Sequence, residues 1–236
     1  MTVPGPLGEG VVPADVRLVR LDIDAAVPLA DPRFDVLSEE ERDAAARFRR
    51  PVDALRSAVT RAALRRLLGA ELGEPPDALR FVRSDRGRPA LDVGGRPPLD
   101  FNVSHGGDHA LIAWSRRRRV GVDIEPLRAE WDWTPLARMV LGTEDARHVA
   151  AAPHGPERDR RFLDVWTAKE ALLKAEGRGI ADGMADFSVL SGDPLAPRIA
   201  GAGHMAARLA GFAALWLRAI PGHAACVAWE ARPASP

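Results

Sequence analysis

Trp166-Thr167-Ala168-Lys169-Glu170-Ala171-Leu172-Leu173-Lys174 lies inside a stretch whose pattern predicts a helix from about Glu157 to Glu176. It holds the only two lysines of the chain: of 33 Lys and Arg positions, the other 31 are arginine. A sequence that has replaced lysine almost everywhere, yet keeps two ammonium groups around one glutamate, suggests a chemical demand for that side chain. Arginine is a planar fork that stays charged, whereas lysine is a compact charge on a flexible stem that suits a single phosphate oxygen. At 3.6 residues per turn, Trp166, Glu170 and Lys174 fall on one helix face. Taken alone, Glu170 and Lys174 read equally as an exposed pair worth about 0.2–0.5 kcal/mol. Lys169 reads as a stem covering apolar surface.

Upstream, Val120-Gly121-Val122-Asp123-Ile124-Glu125 alternates as a strand, with Val120, Val122 and Ile124 on one side and Gly121, Asp123 and Glu125 on the other. Two carboxylates about 7 Å apart at the root can close around a hard divalent cation. A polar solvent face is the alternative, and Gly121 favours the site by leaving room for something bulky. Before that strand, Phe101 to Ser104 predicts a strand running into the loop His105-Gly106-Gly107-Asp108, whose glycines would let backbone amides approach a ligand. Ala110 to Trp114 resumes the sheet. Arg116 to Arg119 read as a solvated hairpin tip, with Val120 to Glu125 returning as the partner strand.

Further toward the amino terminus, Val16 to Ile23 predicts a first strand, and Ser38 with Glu41 forms a capping box opening a helix through Arg49. Pro51 starts a second helix, through about Leu68 and stopped by Gly69. These helices carry Arg42, Arg47, Arg49, Arg50, Arg56, Arg61, Arg65 and Arg66, most of them expected on solvated faces. Phe81 to Arg83 and a turn over Ser84 to Pro89 join two strands. After Glu125 come helices near Thr134–Leu141 and Thr143–Ala151, then the lysine-bearing helix. Strands follow at Phe187–Leu190, Ala214–Ile220 and Ala224–Trp229, with an irregular loop over Ser191–Gly203.

Each half thus runs strand, helices, strands. The fold class expected is α+β: two similar pseudo-duplicated α/β lobes, residues 1–117 and 118–236, with the active site in the cleft between them. At 236 residues, 46% hydrophobic and 28% charged, the composition is globular. The formal net charge of zero supplies no global field for nucleic acid or a membrane surface, so neither is an expected partner. A single cysteine, Cys226, excludes an internal disulfide framework and reads as a small buried hydrophobe. Met1 to Gly10 lacks leader character and no run of about 18 apolar residues occurs, which places the expected location in the cytoplasm.

Three stretches, Phe101-Asn-Val-Ser-His105, Gly121-Val-Asp-Ile-Glu125 and Trp166-x-x-Lys-Glu-Ala-x-x-Lys174, in this order and spacing, resemble the Sfp-type 4′-phosphopantetheinyl transferases. Gly87-Arg88-Pro89 is similar to that family's Gly-Lys/Arg-Pro element, and Arg47-Phe48 with Asp53-x-x-Arg56 to its amino-terminal signature. The resemblance spans roughly residues 40 to 180. It departs at Glu41 and Ala44, where Sfp carries basic residues, leaving Arg42 or Arg47 as substitutes, and at Gly106, the usual second serine.

The resemblance implies transfer of 4′-phosphopantetheine from coenzyme A to a serine of an acyl or peptidyl carrier protein, with release of adenosine 3′,5′-bisphosphate. It implies Mg²⁺ or Mn²⁺ held by Asp123, Glu125 and Glu170, with Glu170 also the base and Lys174 on the diphosphate. Ser104 and His105 match a phosphate-contacting pair, and Arg56 and Arg88 match positions at the 3′-phosphate. The carrier contact is expected to be transient and the protein a monomer. The alternatives are a Mg²⁺-dependent phosphohydrolase or nucleotidyl transferase acting on another nucleotide, and a non-catalytic module that binds carrier proteins.

Overall fold

The computed structural model describes residues 11–83, 87–92, 94, 99–128, 131–177, 183–190 and 195–232. Two three-stranded antiparallel sheets form its centre. The first has β1 (Arg17–Asp22), β5 (His109–Ser115) and β4 (Asp100–Gly106) in the order β1-β5-β4. The second has β6 (Val120–Pro126), β10 (His223–Glu230) and β9 (Phe212–Trp216) in the order β6-β10-β9. Two-stranded ribbons flank them: β2 (Phe81–Arg83) with β3 (Pro89–Leu91), and β7 (Ser188–Leu190) with β8 (Arg198–Ala200). The architecture is α+β, as the sequence predicts, and both sheets place the last strand of their half between the first and the penultimate.

The layers follow from the apolar patterns. Helix α2 (Pro51–Leu72) buries Ala63, Leu64 and Leu68 against Ala110, Ile112 and Trp114 of β5. The opposite face of β5, Leu111 and Ala113, packs with Val120, Val122 and Ile124 of β6 and with Ala225, Val227 and Trp229 of β10. Helix α5 (Pro156–Glu176) covers the far side of the second sheet, where its Phe162, Ala168, Ala171 and Leu172 meet Ala224, Cys226 and Ala228. Strands β5 and β10 are each central in a sheet and covered on both faces, which is why they read as unbroken apolar runs. Cys226 is buried, as expected.

Several boundaries differ from expectation. The Ser38–Glu41 capping box opens α1 (Glu39–Ala46) as predicted. The second helix does not stop at Gly69 but runs to Leu72 under a left-handed cap at Gly73. The expected β5–β6 hairpin is absent: β6 pairs with β10, and β5 lies between β1 and β4. The link between them, Arg116 to Arg119, is stapled rather than a free tip. Arg116 pairs with Glu71 at 2.8 Å, Arg118 with Asp15 at 2.8 Å, and Arg119 stacks over Phe212 while pairing with Glu230. Arg65, expected on a solvated face, is buried and donates to Glu41, Pro76 O and Leu79 O. Strand β8 and helix α6 (His204–Leu209) fall in or beside the stretch expected to be irregular, and Ser84 to Arg86 of the predicted turn Ser84 to Pro89 lie outside the described residues. Between α2 and α5 in the chain, α3 (Ala137–Val140) and α4 (Thr143–Ala150) complete the helices named here.

Candidate active site

The edges of the two sheets meet where β4 faces β6, and side chains of β4 replace the missing strand pairing. Asp100 Oδ2 accepts the amide of Val120 at 2.7 Å, and Asn102 Oδ1 accepts that of Val122 at 2.9 Å. Arg88 crosses the same seam, donating to Asp100, Phe101 O, Val120 O and, at 2.7 Å, to Lys174 O at the end of α5. The fork expected on a 3′-phosphate is therefore committed to four protein acceptors that join the two halves. Asp100 and Asn102, two residues apart on a strand edge, were the sequence signal for this seam, but nothing in the sequence says which strand they face.

On the α5 side of β6, Asp123 is 3% exposed and its Oδ1 lies 2.6 Å from Lys174 Nζ and 2.9 Å from Ser104 Oγ. Lys174 also donates to Val122 O at 3.3 Å and approaches Ser104 Oγ at 3.5 Å. Glu170 Oε2 stands 3.8 Å from the same ammonium, so the helix pair of the sequence exists, but as a buried edge of a larger cluster. β6 and α5 can approach this closely because position 121 is glycine: a Cβ there would sit 2.0 Å from Ala171 O. The bulky neighbour Gly121 makes room for is the backbone of α5 rather than a ligand. Likewise a Cβ at Gly106 would meet Ile124 O at 2.6 Å, so that glycine serves contact with β6.

The cluster is short of positive charge. Burial, and then repulsion from Asp123, pushes the Glu125 carboxyl up to about 7, with Arg128 and Lys174 opposing. Burial likewise raises Glu170 to about 7 against the pull of Lys174, helped by Asp123 and Glu125. Burial opposes the charge of Lys174, but attraction to Asp123, Glu170 and Glu125 outweighs it and holds the ammonium above the ordinary lysine range. Asp123 Oδ2 and Glu170 Oε1 are buried with no hydrogen-bond partner. Buried carboxylate oxygens without donors are costly, and a hard divalent cation with oxygen ligands is the group that fits them.

His105 lies on β4 next to Ser104; burial lowers its pKa, with the charges of Arg56 and Lys174 adding to the effect. Arg56 donates from Nε to Gly107 O at 2.6 Å and pairs with Asp53 at 2.7 Å. Arg56 is thus brought to the turn that follows His105. Glu41, which stands where the resembled family has a basic residue, accepts from the Ser38 amide and pairs with Arg61 and Arg65, and Arg42 donates to Leu37 O. A cavity of about 820 Å³ lies away from these acids; its lining includes Asp22, Phe34, Val59, Arg66 and Asp108.

Lys169 was misread. It is fully buried, donates to Val140 O, Met184 O and Phe187 O at 2.5–2.7 Å, and pairs with Asp145 at 2.6 Å. Asp145 in turn accepts the amides of Gly142 and Val189. The ammonium carries its three N–H donors on one atom, so it reaches three carbonyls that converge on a single buried point, where a guanidinium spreads its donors over a larger plane. The two retained lysines therefore serve different ends: one anchors α5, the other faces the acids. A lysine at position 169 in a chain whose other basic residues, Lys174 aside, are all arginine was the sequence signal for the anchor.

Three acids around one ammonium, two of them with a donorless oxygen, on the helix and strand of a two-sheet α+β frame, suit a cation and a phosphate-bearing substrate. The family description "4′-phosphopantetheinyl transferase superfamily" matches residues 119–224, and "4′-phosphopantetheinyl transferase, N-terminal" matches residues 31–117. The chain is 33% identical over 180 residues to the 4′-phosphopantetheinyl transferase HetI of Nostoc sp., covering 76% of each. It is 35% identical to a putative 4′-phosphopantetheinyl transferase of Synechocystis sp., over 66% of this chain and 63% of that one. The match to AcpT of Salmonella typhi is 36% over 47% of this chain and 55% of that one. The chain belongs to the 4′-phosphopantetheinyl transferase superfamily, and it is a transferase. No helix among the described residues is long and apolar enough to cross a membrane.

Proposed function

We propose that the protein transfers 4′-phosphopantetheine from coenzyme A to a serine of an acyl or peptidyl carrier protein, releasing adenosine 3′,5′-bisphosphate. The observation that carries the reading is the convergence of Asp123, Glu170 and Lys174 from β6 and α5, with two buried carboxylate oxygens lacking donors. Asp123, Glu125 and Glu170 would hold Mg²⁺, or Mn²⁺, which when bound supplies charge neutralisation for the diphosphate. Two halves of like strand order, meeting near residues 117 and 118, support a pseudo-duplicated pair of lobes with the substrate in the cleft between them. Each half then supplies one wall, which favours a monomer acting in the cytoplasm, where coenzyme A is available.

The chain's own groups account for the steps. Glu170, held near neutrality, takes the proton of the carrier serine as its oxygen attacks the phosphorus bearing the pantetheine arm. The bond from that phosphorus to the bridging oxygen breaks, and Lys174, kept charged by three acids, meets the negative charge on the leaving bisphosphate. Ser104 is placed by Asp123 to contact a phosphate oxygen, and His105 and Arg56 lie on the side that would receive the nucleotide. We assign Arg88 to positioning Lys174 across the seam rather than to the 3′-phosphate.

Intact-protein mass spectrometry of an apo carrier protein incubated with coenzyme A, Mg²⁺ and the enzyme tests the proposal. A serine-linked phosphopantetheine adduct is expected. Phosphate release from nucleotides with no acceptor would indicate a hydrolase, and carrier affinity without product would indicate a binding module.

A further inference from the structure

A second group of metal-type donors lies apart from the carboxylate site, at the β4–β5 turn and the start of β10. Asp108, His109 and His223 each bring one donor atom within 4.8 Å of the others. The two rings stand 4.7 Å apart, and both Nε2 atoms lie 3.6 Å from Asp108 Oδ1. His223 Nδ1 is 3.0 Å from Pro221 O, so its proton belongs on Nδ1 and Nε2 presents a lone pair. That Nε2 has no hydrogen-bond partner although the residue is only 5% exposed. His109 Nδ1 is 3.0 Å from Asp22 Oδ1, an ion-pair contact off the line of a hydrogen bond, and its Nε2 lies on the side of Asp108.

We infer that Asp108, His109 and His223 form a binding site for a borderline transition-metal dication of the Zn²⁺ class, separate from the hard-cation site of Asp123, Glu125 and Glu170. Two imidazoles and one carboxylate are the donor set of such ions and a poor set for Mg²⁺. A tetrahedral ion with ligands at about 2.0–2.2 Å holds them roughly 3.4 Å apart, close to the two 3.6 Å separations. The remaining separation, between the two imidazole donors, has to close by about 1.4 Å at most, a tilt of the rings that the less buried His109 can supply. Asp22 and Pro221 O would be the outer partners that fix each ring, the arrangement usual behind metal-bound histidine. Asp22 and Asp108 also line the large cavity, which gives an ion its entry path and leaves a coordination position open to water.

The turn is shaped around this pair. Gly107 has φ +61°, and a Cβ there would lie 2.6 Å from His223 Nε2, the lone pair aimed at the site. Its carbonyl holds Arg56. An ion at this point would therefore tie the turn after His105 to β10 of the other sheet, bracing the side of the cleft assigned to the nucleotide.

The test uses the full-length protein stripped with chelator and returned to saturating Mg²⁺, titrated calorimetrically with Zn²⁺, and with Co²⁺ followed by visible absorption. Wild type should bind one Zn²⁺ that Mg²⁺ does not displace, give the intense absorption of tetrahedral Co²⁺, and melt at a higher temperature with Zn²⁺. His223→Gln should lose that equivalent or weaken it by roughly 100-fold or more, since removal of an outer partner alone costs 10–100-fold. His109→Gln, at a less buried ring, repeats the measurement should the first variant fail to fold. Asp22→Asn should weaken binding by about 10–100-fold. No Zn²⁺ equivalent in the presence of Mg²⁺, binding unchanged in both histidine variants, or an octahedral Co²⁺ spectrum would overturn the assignment.

Discussion

Replacing Glu170 with glutamine should stabilise the metal-free protein at alkaline pH while removing its activity. The carboxyl is 2% exposed and raised from the ordinary 4.5 to about 7, so its ionised form carries a penalty of roughly 3 kcal/mol. The sign follows from linkage: a folded-state pKa above the unfolded value means the native state binds more protons, so stability is full below about 4.5 and is lost as pH rises through about 7. Glutamine keeps the shape and cannot ionise. Part of the penalty is mutual repulsion with Glu125 and Asp123, and the contact with Lys174 is lost, so a net gain of about 1–3 kcal/mol is expected at pH 8. At pH 5 Glu170 is neutral in the native protein and the gap should fall to about 1 kcal/mol or less. Urea denaturation in EDTA, followed by tryptophan fluorescence between pH 5 and 8, measures this gap. A gap that does not widen with pH would refute the argument that the site is a strained carboxylate cluster waiting for a cation. The same variant should lose roughly 10²–10⁴ in kcat, as a general base does, while Mg²⁺ added at pH 8 should stabilise wild type more than the variant.

Lys174→Arg keeps the charge but replaces a point donor 2.6 Å from Asp123 with a fork, and should remove most of the transfer rate; wild-type rate would reduce Lys174 to a generic cation. Lys169→Met leaves Asp145 buried without its cation and three carbonyls without a donor, and should cost about 3–5 kcal/mol in denaturant unfolding; an unchanged midpoint would contradict the anchor. Arg88→Ala should slow transfer from coenzyme A and dephospho-coenzyme A alike and lower the melting temperature, because it breaks the seam; a loss confined to coenzyme A would instead place its fork on the 3′-phosphate.

Local pattern made much of this protein legible in its sequence. The alternation of Val120 to Glu125 put Asp123 and Glu125 on the face opposite Val122 and Ile124, and that is the face α5 covers. The i,i+4 spacing of Glu170 and Lys174 placed them on one side of α5, and the capping box placed the start of α1. These are properties of a strand or helix by itself, fixed by its own period. Tertiary structure decided what each face meets. Strand β6 looked like the return of a β5 hairpin but pairs with a strand about a hundred residues later, because covering both faces of β10 buries more apolar surface than a local turn could. Arg88, Lys169 and Gly121 carried the right residue types but the wrong expected neighbours: the fork found carbonyls of the seam, the ammonium found a buried aspartate, and the glycine made room for a helix. Nor could spacing bring His109 to His223, which are 114 positions apart and meet only because β5 and β10 are packed face to face. A sequence fixes the direction of a side chain within its own element; which charge or carbonyl lies across from it depends on how the elements close the core.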